Sequence, residues 1–133
     1  MISSASEFCA LRQSENQAEY GRAAHDEAPY DVWMEVIVKF PDMRFWVAQN
    51  KTVPVEILEI LASDKDPKVM NMVARKRKIS ESSAIKLAND TDESVRAALA
   101  CNKKTPQKAL DYLSQDSSPL VLDALKRRLG EQE

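Results

Sequence analysis

Few residues in this sequence have the types and spacing that reaction chemistry requires. The single histidine, His25, stands beside Asp26 and Glu27 in the run AAHDEAP. A carboxylate so placed can orient an imidazole for proton transfer, but a polar turn ordinarily leaves its histidine in solvent. Cys9 and Cys101 are the only cysteines and lie far apart in the chain, too few for a four-thiolate metal centre or a disulfide framework. Cys101 follows the run VRAALA and precedes Lys103 and Lys104. Those cations lower a thiol pKa and a helix C-terminus raises it, so the opposing effects predict an unreactive thiol. Glu56 and Glu59 lie one helical turn apart, a routine surface spacing. Only two glycines are present, which disfavours phosphate-cradling loops. With no Ser–His–Asp, Cys–His or paired-carboxylate set, the chain reads as non-enzymatic, with no metal and no cofactor.

Charge is more informative. Residues 1–66 hold 6 Lys and Arg against 12 Asp and Glu, a net of −6. Residues 67–133 hold 13 against 9, a net of +4. Basic residues gather at Lys51, Arg75-Lys76-Arg77-Lys78, Lys103-Lys104 and Lys126-Arg127-Arg128. Arg75, Lys76, Arg77, Lys78, Lys103 and Lys104 form a candidate anion-binding set for a nucleic-acid backbone or another polyanion. No aromatic residue interleaves with them, which disfavours stacking on single strands. Cations also favour helix C-termini by ~0.3–1 kcal/mol. Asp64, Asp66, Asp90, Asp92, Glu93 and Asp116 fall where helices begin, so much of the pattern complements helix dipoles. The four cations from Arg75 to Lys78 exceed what one helix end needs.

The elements that position these residues are announced by proline. Prolines stand at 29, 41, 54, 67, 106 and 119, and all but Pro29 fall on a 13-residue grid whose vacant points hold Ser80 and Glu93. Proline suits the first helical position, where its missing N–H is unpaired anyway. The grid predicts short helices joined by tight turns. Doubling it gives a 26-residue repeat with two kinds of helix, A and B. The A segments are 41–53, 67–79, 93–105 and 119–131, apolar at Met43, Val69, Val95 and Val121 and again at Val47, Val73, Leu99 and Leu125. The B segments are 54–66, 80–92 and 106–118, apolar at Ile57, Leu58 and Leu61, at Ala84 and Leu87, and at Ala109, Leu110 and Leu113. Steps of three and four are amphipathic-helix spacings. Residues 14–38 read as a degenerate repeat, and Ser4 with Glu7 as a capping box opening a terminal helix over 4–13. Helices this short are not stable alone and must bury their stripes against neighbours.

The pattern D-x-D-x-x-V-x-x-x-(V/L)-A-x-N-x-x-T-P-x-x-x-L-x-x-L-A resembles variant leucine-rich repeat and HEAT-like repeat proteins. Its fullest instance is DTDESVRAALACNKKTPQKALDYLSQ at 90–115. DKDPKVMNMVARKRKISESSAIKLAN at 64–89 follows it, with Lys76 in place of the asparagine and Ser80 in place of the proline. The resemblance covers roughly residues 38–129 and implies an all-α, right-handed α-solenoid of short paired helices. It implies no single activity, because such scaffolds mostly bind partners. Some relatives of this kind carry an N-terminal iron–sulfur cluster, for which Cys9 alone is insufficient. Others are alkylpurine DNA glycosylases with longer arrays, whose catalytic motif this chain lacks.

The resulting expectation is one HEAT-like domain over 1–133, with regular repeats over 39–129 and a tail at 130–133. Its 44% hydrophobic and 30% charged residues exclude a disordered tail and a membrane span. The opening MISSASEFCALRQ lacks the basic start and apolar core of a signal peptide, so a cytoplasmic location is expected. B helices line the concave side of such solenoids. The candidate partner-binding residues are therefore Tyr30, Asp31, Met34, Glu35, Glu56, Glu59 and Tyr112. This acidic strip suits a basic protein partner, as in an immunity or antitoxin-like protein neutralising a basic toxin. Trp33 and Trp46 are expected in the core.

Overall fold

Aspartate and proline divide the work of starting the helices. A computed structural model describes the backbone of residues 1–132 and side chains through Arg128. All regular structure among these residues is helical. The α-helices are α1 (Ala5–Gln13), α2 (Gln17–His25), α3 (Tyr30–Lys39), α4 (Arg44–Gln49), α5 (Val55–Leu61), α6 (Pro67–Ala74), α7 (Glu81–Ala88), α8 (Glu93–Cys101), α9 (Gln107–Ser114) and α10 (Pro119–Gln132). In α6 and α8 the grid residue is the first helical residue, and the preceding Asp66 or Asp92 caps it through its side chain. In α7 and α9 the grid residue is itself the cap, Ser80 and Pro106, and the off-grid Pro29 caps α3 in the same way; all three are extended, with φ of −76°, −62° and −61°. The helix expected from Pro41 opens as a 3₁₀ turn, Pro41–Met43, before α4.

The paired aspartates are turn-and-cap devices. Asp64 accepts from the Asp66 N–H at 2.9 Å, and Asp66 accepts from the Lys68 N–H at 2.9 Å. Asp90 and Asp92 repeat both bonds, and Asp116 accepts from the Ser118 N–H at 2.9 Å. At α1, Ser4 accepts from the Glu7 N–H at 3.0 Å, but the Glu7 carboxylate reaches the Ser3 N–H at 2.7 Å, not that of Ser4. The capping box is therefore stretched by one residue.

The chain clusters into two compact units, Met1–Ile57 and Leu58–Glu133. In the first, α1 packs on α2 and α3, and α4 packs on the same two helices. Its buried side chains include Ile2, Phe8, Trp33, Val36, Val47 and Val53, with the Phe8 ring edge-on to Trp33 at 5.2 Å. In the second, α6 packs on α7 and α8, α7 on α8 and α9, and α10 on α8 and α9. Val73, Leu87, Val95, Leu99, Leu113 and Val121 are buried there. Each such side chain contributes roughly 1.5–3 kcal/mol, which is what holds helices of eight residues together.

Trp46 departs from expectation. It is half-buried: the Arg12 guanidinium of α1 lies 3.4 Å from its ring centroid, and Phe45 meets it edge-on at 4.7 Å. The α10 backbone stays helical through the first residues of the segment read as a tail, and Glu133 lies outside the described residues. No described helix is long and apolar enough to cross a membrane.

Candidate functional site

The acidic candidates sit on the outer faces of amphipathic helices. On α3, Val32, Trp33, Val36 and Ile37 are buried, which turns Tyr30, Met34 and Val38 into an outward row at steps of four. Tyr30 is 52% exposed and Val38 68%, while Met34 is half-buried. Asp31 and Glu35 run beside this row, both exposed, and Glu35 accepts from Lys39 at 3.3 Å. Val38 was missed in the sequence, although its spacing from Met34 signals it. On α5, Ile57, Leu58 and Leu61 are buried, leaving Glu56, Glu59 and Ile60 exposed together.

Tyr112 has a different setting. Within the second unit it lines a shallow 290 Å³ depression with Asn89, Asp90, Arg96 and Asp116. Arg96 grips Asp116 through Nε at 2.7 Å and Nη2 at 3.4 Å, and its Nη1 donates to the Asp90 carbonyl at 2.7 Å. Burial pushes the Asp116 carboxyl up, but the Arg96 hydrogen bond and the Ser118 N–H outweigh it and hold the group below the usual carboxylate range. The hydrogen bond to Asp116 in turn raises the Arg96 pKa. Tyr30, Asp31, Met34, Glu35 and Glu56 belong to the first unit, and Glu59 and Tyr112 to the second.

The basic candidates are carried by the C-terminal turns of α6 and α8. Arg75, Arg77, Lys103 and Lys104 line one 530 Å³ cleft with Cys101 and Asn102. Lys76 is half-buried and Lys78 exposed; neither lines that cleft. A buried asparagine joins the two turns. Asn102 Nδ2 donates to the Ala74 and Lys76 carbonyls, both at 2.8 Å, while its Oδ1 accepts from the Lys104 N–H at 2.9 Å. Arg128 of α10 adds bonds to the Asn102 and Lys103 carbonyls, each at 3.3 Å. In the first unit Asn50 plays the corresponding part, donating to the Ala23 and Asp26 carbonyls at 2.8 and 3.0 Å. The sequence pattern contained both asparagines, but their donor role depends on carbonyls some 24–28 residues earlier.

The carboxylate next to the histidine is engaged elsewhere. The Asp26 carboxylate is taken by Arg22, at 2.6 Å, so it does not orient His25. His25 is exposed and lines a 490 Å³ hollow with Arg12, Tyr20 and Gln49. Cys9 is buried, and burial pushes its thiol pKa up, whereas Cys101 is exposed. Among the described residues, no three His, Cys, Asp or Glu side chains gather as a metal site would require. Compared with known proteins, the chain matches no family model, no curated protein and no solved structure.

Proposed function

We propose that this chain is a non-enzymatic protein-binding module whose short paired helices stack as a right-handed, HEAT-like α-solenoid, and that its partner is a basic protein. The observation that carries the partner reading is the outward face of α3. Tyr30, Met34 and Val38 form an apolar row bordered by Asp31 and Glu35, and α5 repeats the combination with Ile60 beside Glu56 and Glu59. Exposed apolar side chains edged by charge of one sign are what an interface core and rim require. Carboxylates add little affinity at a rim, but they speed encounter with a cationic partner and reject acidic ones. The equivalent carbonyl-binding roles of Asn50 and Asn102 support the repeat reading. The more specific form of the proposal is an immunity or antitoxin-like role in the cytoplasm, neutralising a basic toxin. The exposed carboxylates on α3 and α5, which complement a cationic protein, support it.

The test is affinity capture from lysate of the native host with wild-type bait and with a variant carrying Asp31→Lys, Glu35→Lys, Glu56→Lys and Glu59→Lys. The expected result is a basic protein retained by the wild type and lost by the variant, and whose toxicity on expression is relieved by the wild-type chain. Equal capture by both baits would sink the acidic surface. A captured protein with no toxicity would remove the immunity role and leave the binding module standing.

A further inference from the structure

The cleft between the C-terminal turns of α6 and α8 lies wholly within the second unit and is independent of the acidic faces. Four cationic side chains line it, and among the described residues no carboxylate does. Arg75, Arg77 and Lys104 have no ion-pair partner among the described residues, although Arg96 pairs with Asp116 and Lys108 with Glu81 in the same unit. The helix-dipole explanation accounts for only part of this set. Cations gather at helix C-termini because free carbonyls there carry partial negative charge. One cation at each end would answer that charge, whereas two stand at each turn, and the Ala74 carbonyl that ends α6 is already taken by the Asn102 amide.

The Asn102 bonds tie the two walls of the cleft to each other. Asn102 is 8% exposed and ties the turn bearing Arg75 and Arg77 to the turn bearing Lys103 and Lys104. Cations mounted on fixed backbone lose less freedom when they close on a ligand, which is the advantage of preorganisation. Two of the four are arginines, whose planar fork matches phosphate oxygens in pairs. Its volume of 530 Å³ lies within the ordinary range of ligand clefts. No aromatic ring lines it, so nothing there would read or stack a base.

We propose that this cleft is a phosphate-ester site, binding consecutive phosphate groups of a nucleic-acid backbone or of a free oligophosphate without regard to base. Arg75, Arg77, Lys103 and Lys104 supply the charge, and Asn102 and Arg128 hold them in place.

Cys101 provides a native reporter, because it is exposed on the cleft wall while Cys9 is buried. The experiment follows the alkylation rate of Cys101 by neutral iodoacetamide, resolved by peptide mass spectrometry. The added probes are tripolyphosphate, a random-sequence DNA duplex, or polyglutamate. Protection by a bound ligand approaches 1 + [L]/Kd, so a phosphate probe at ten times its Kd should slow the reaction by about tenfold. Protection by the duplex as well as by tripolyphosphate assigns the site to nucleic acid, and protection by tripolyphosphate alone assigns it to a free oligophosphate. With DNA, the effect should fade steeply as salt rises. The double variant Arg77→Glu with Lys104→Glu should lose protection while keeping its helical circular dichroism, since both side chains are exposed. Arg77→Gln, which only removes charge, should weaken it in the same direction. Failure of both phosphate probes, undiminished protection in the double variant, or equal protection by polyglutamate would overturn the proposal. None of these outcomes bears on the acidic faces of α3 and α5.

Discussion

At the residue scale, a few buried polar side chains hold more of this structure than their number suggests. Replacing Asn102 with Ala strips the Ala74 and Lys76 carbonyls of their donor and the Lys104 N–H of its acceptor. Each buried polar group left unpaired costs about 1–3 kcal/mol, so Asn102→Ala should lower unfolding free energy by about 3 kcal/mol in urea titrations. The Arg96–Asp116 pair is the second such point, with side chains only 17% and 8% exposed. Asp116→Asn should cost about 2 kcal/mol at neutral pH, the typical worth of a charged hydrogen bond. The sign of its pH dependence follows from the depressed carboxyl. The folded state binds the Asp116 proton less tightly than the unfolded chain does. The stabilisation is therefore complete above the ordinary carboxylate pKa of about 4 and is lost as pH falls through the lower folded value. Urea midpoints of wild type and Asp116→Asn should converge in strong acid; an unchanged gap would show that the ion pair is not the cause. These roles were only half legible. The asparagine at 102 belongs to the visible pattern, but its acceptors do not. Likewise Trp46, expected in the core, is half-buried, and the Arg12 that lies over its ring comes from a helix outside the regular repeats.

At the scale of the element, the proline grid located α5 to α10 to within a residue, because a fixed φ and a missing N–H leave proline few places to sit. The grid does not show whether the residue caps a helix or begins it. The residue begins the helix after Asp66 and Asp92, which cap α6 and α8 through their side chains, and also begins α10 after Ser118. Ser80 tests this reading. It holds a vacant grid point, caps α7 by accepting from the Ser83 N–H at 3.2 Å, and has φ −76°, within reach of proline. Ser80→Ala should cost about 1 kcal/mol by loss of the cap. Ser80→Pro loses the same bond but restricts the unfolded chain, a gain of about 0.4–1 kcal/mol. Thermal unfolding should therefore place the proline variant closer to wild type than the alanine variant. The outward faces of α3 and α5 were legible for the same reason as the helices, since burial of every third or fourth residue decides which side chains face out.

At the scale of the whole molecule, charge distribution was readable by counting, but which cations end up without partners was not. Arg96 meets Asp116 and Lys108 meets Glu81 across turns of chain that only folding brings together. The strong net negative charge of residues 1–66 gives the proposed partner contact a salt dependence. The screening length falls from about 10 Å at 0.1 M salt to about 3 Å at 1 M, so affinity for a basic protein should drop on the order of tenfold over that range, chiefly through slower association. Surface-resonance kinetics at the two ionic strengths would show it, and an unchanged association rate would count against the carboxylates. The direction of the asparagine bonds has one more consequence. Asn50, Asn102 and Arg128 all donate backwards, to carbonyls nearer the start of the chain. During synthesis on a ribosome, every acceptor therefore emerges ahead of its donor. Each joint can close as soon as the donor appears, so the nascent polypeptide can secure itself piece by piece while its later portions are still being made.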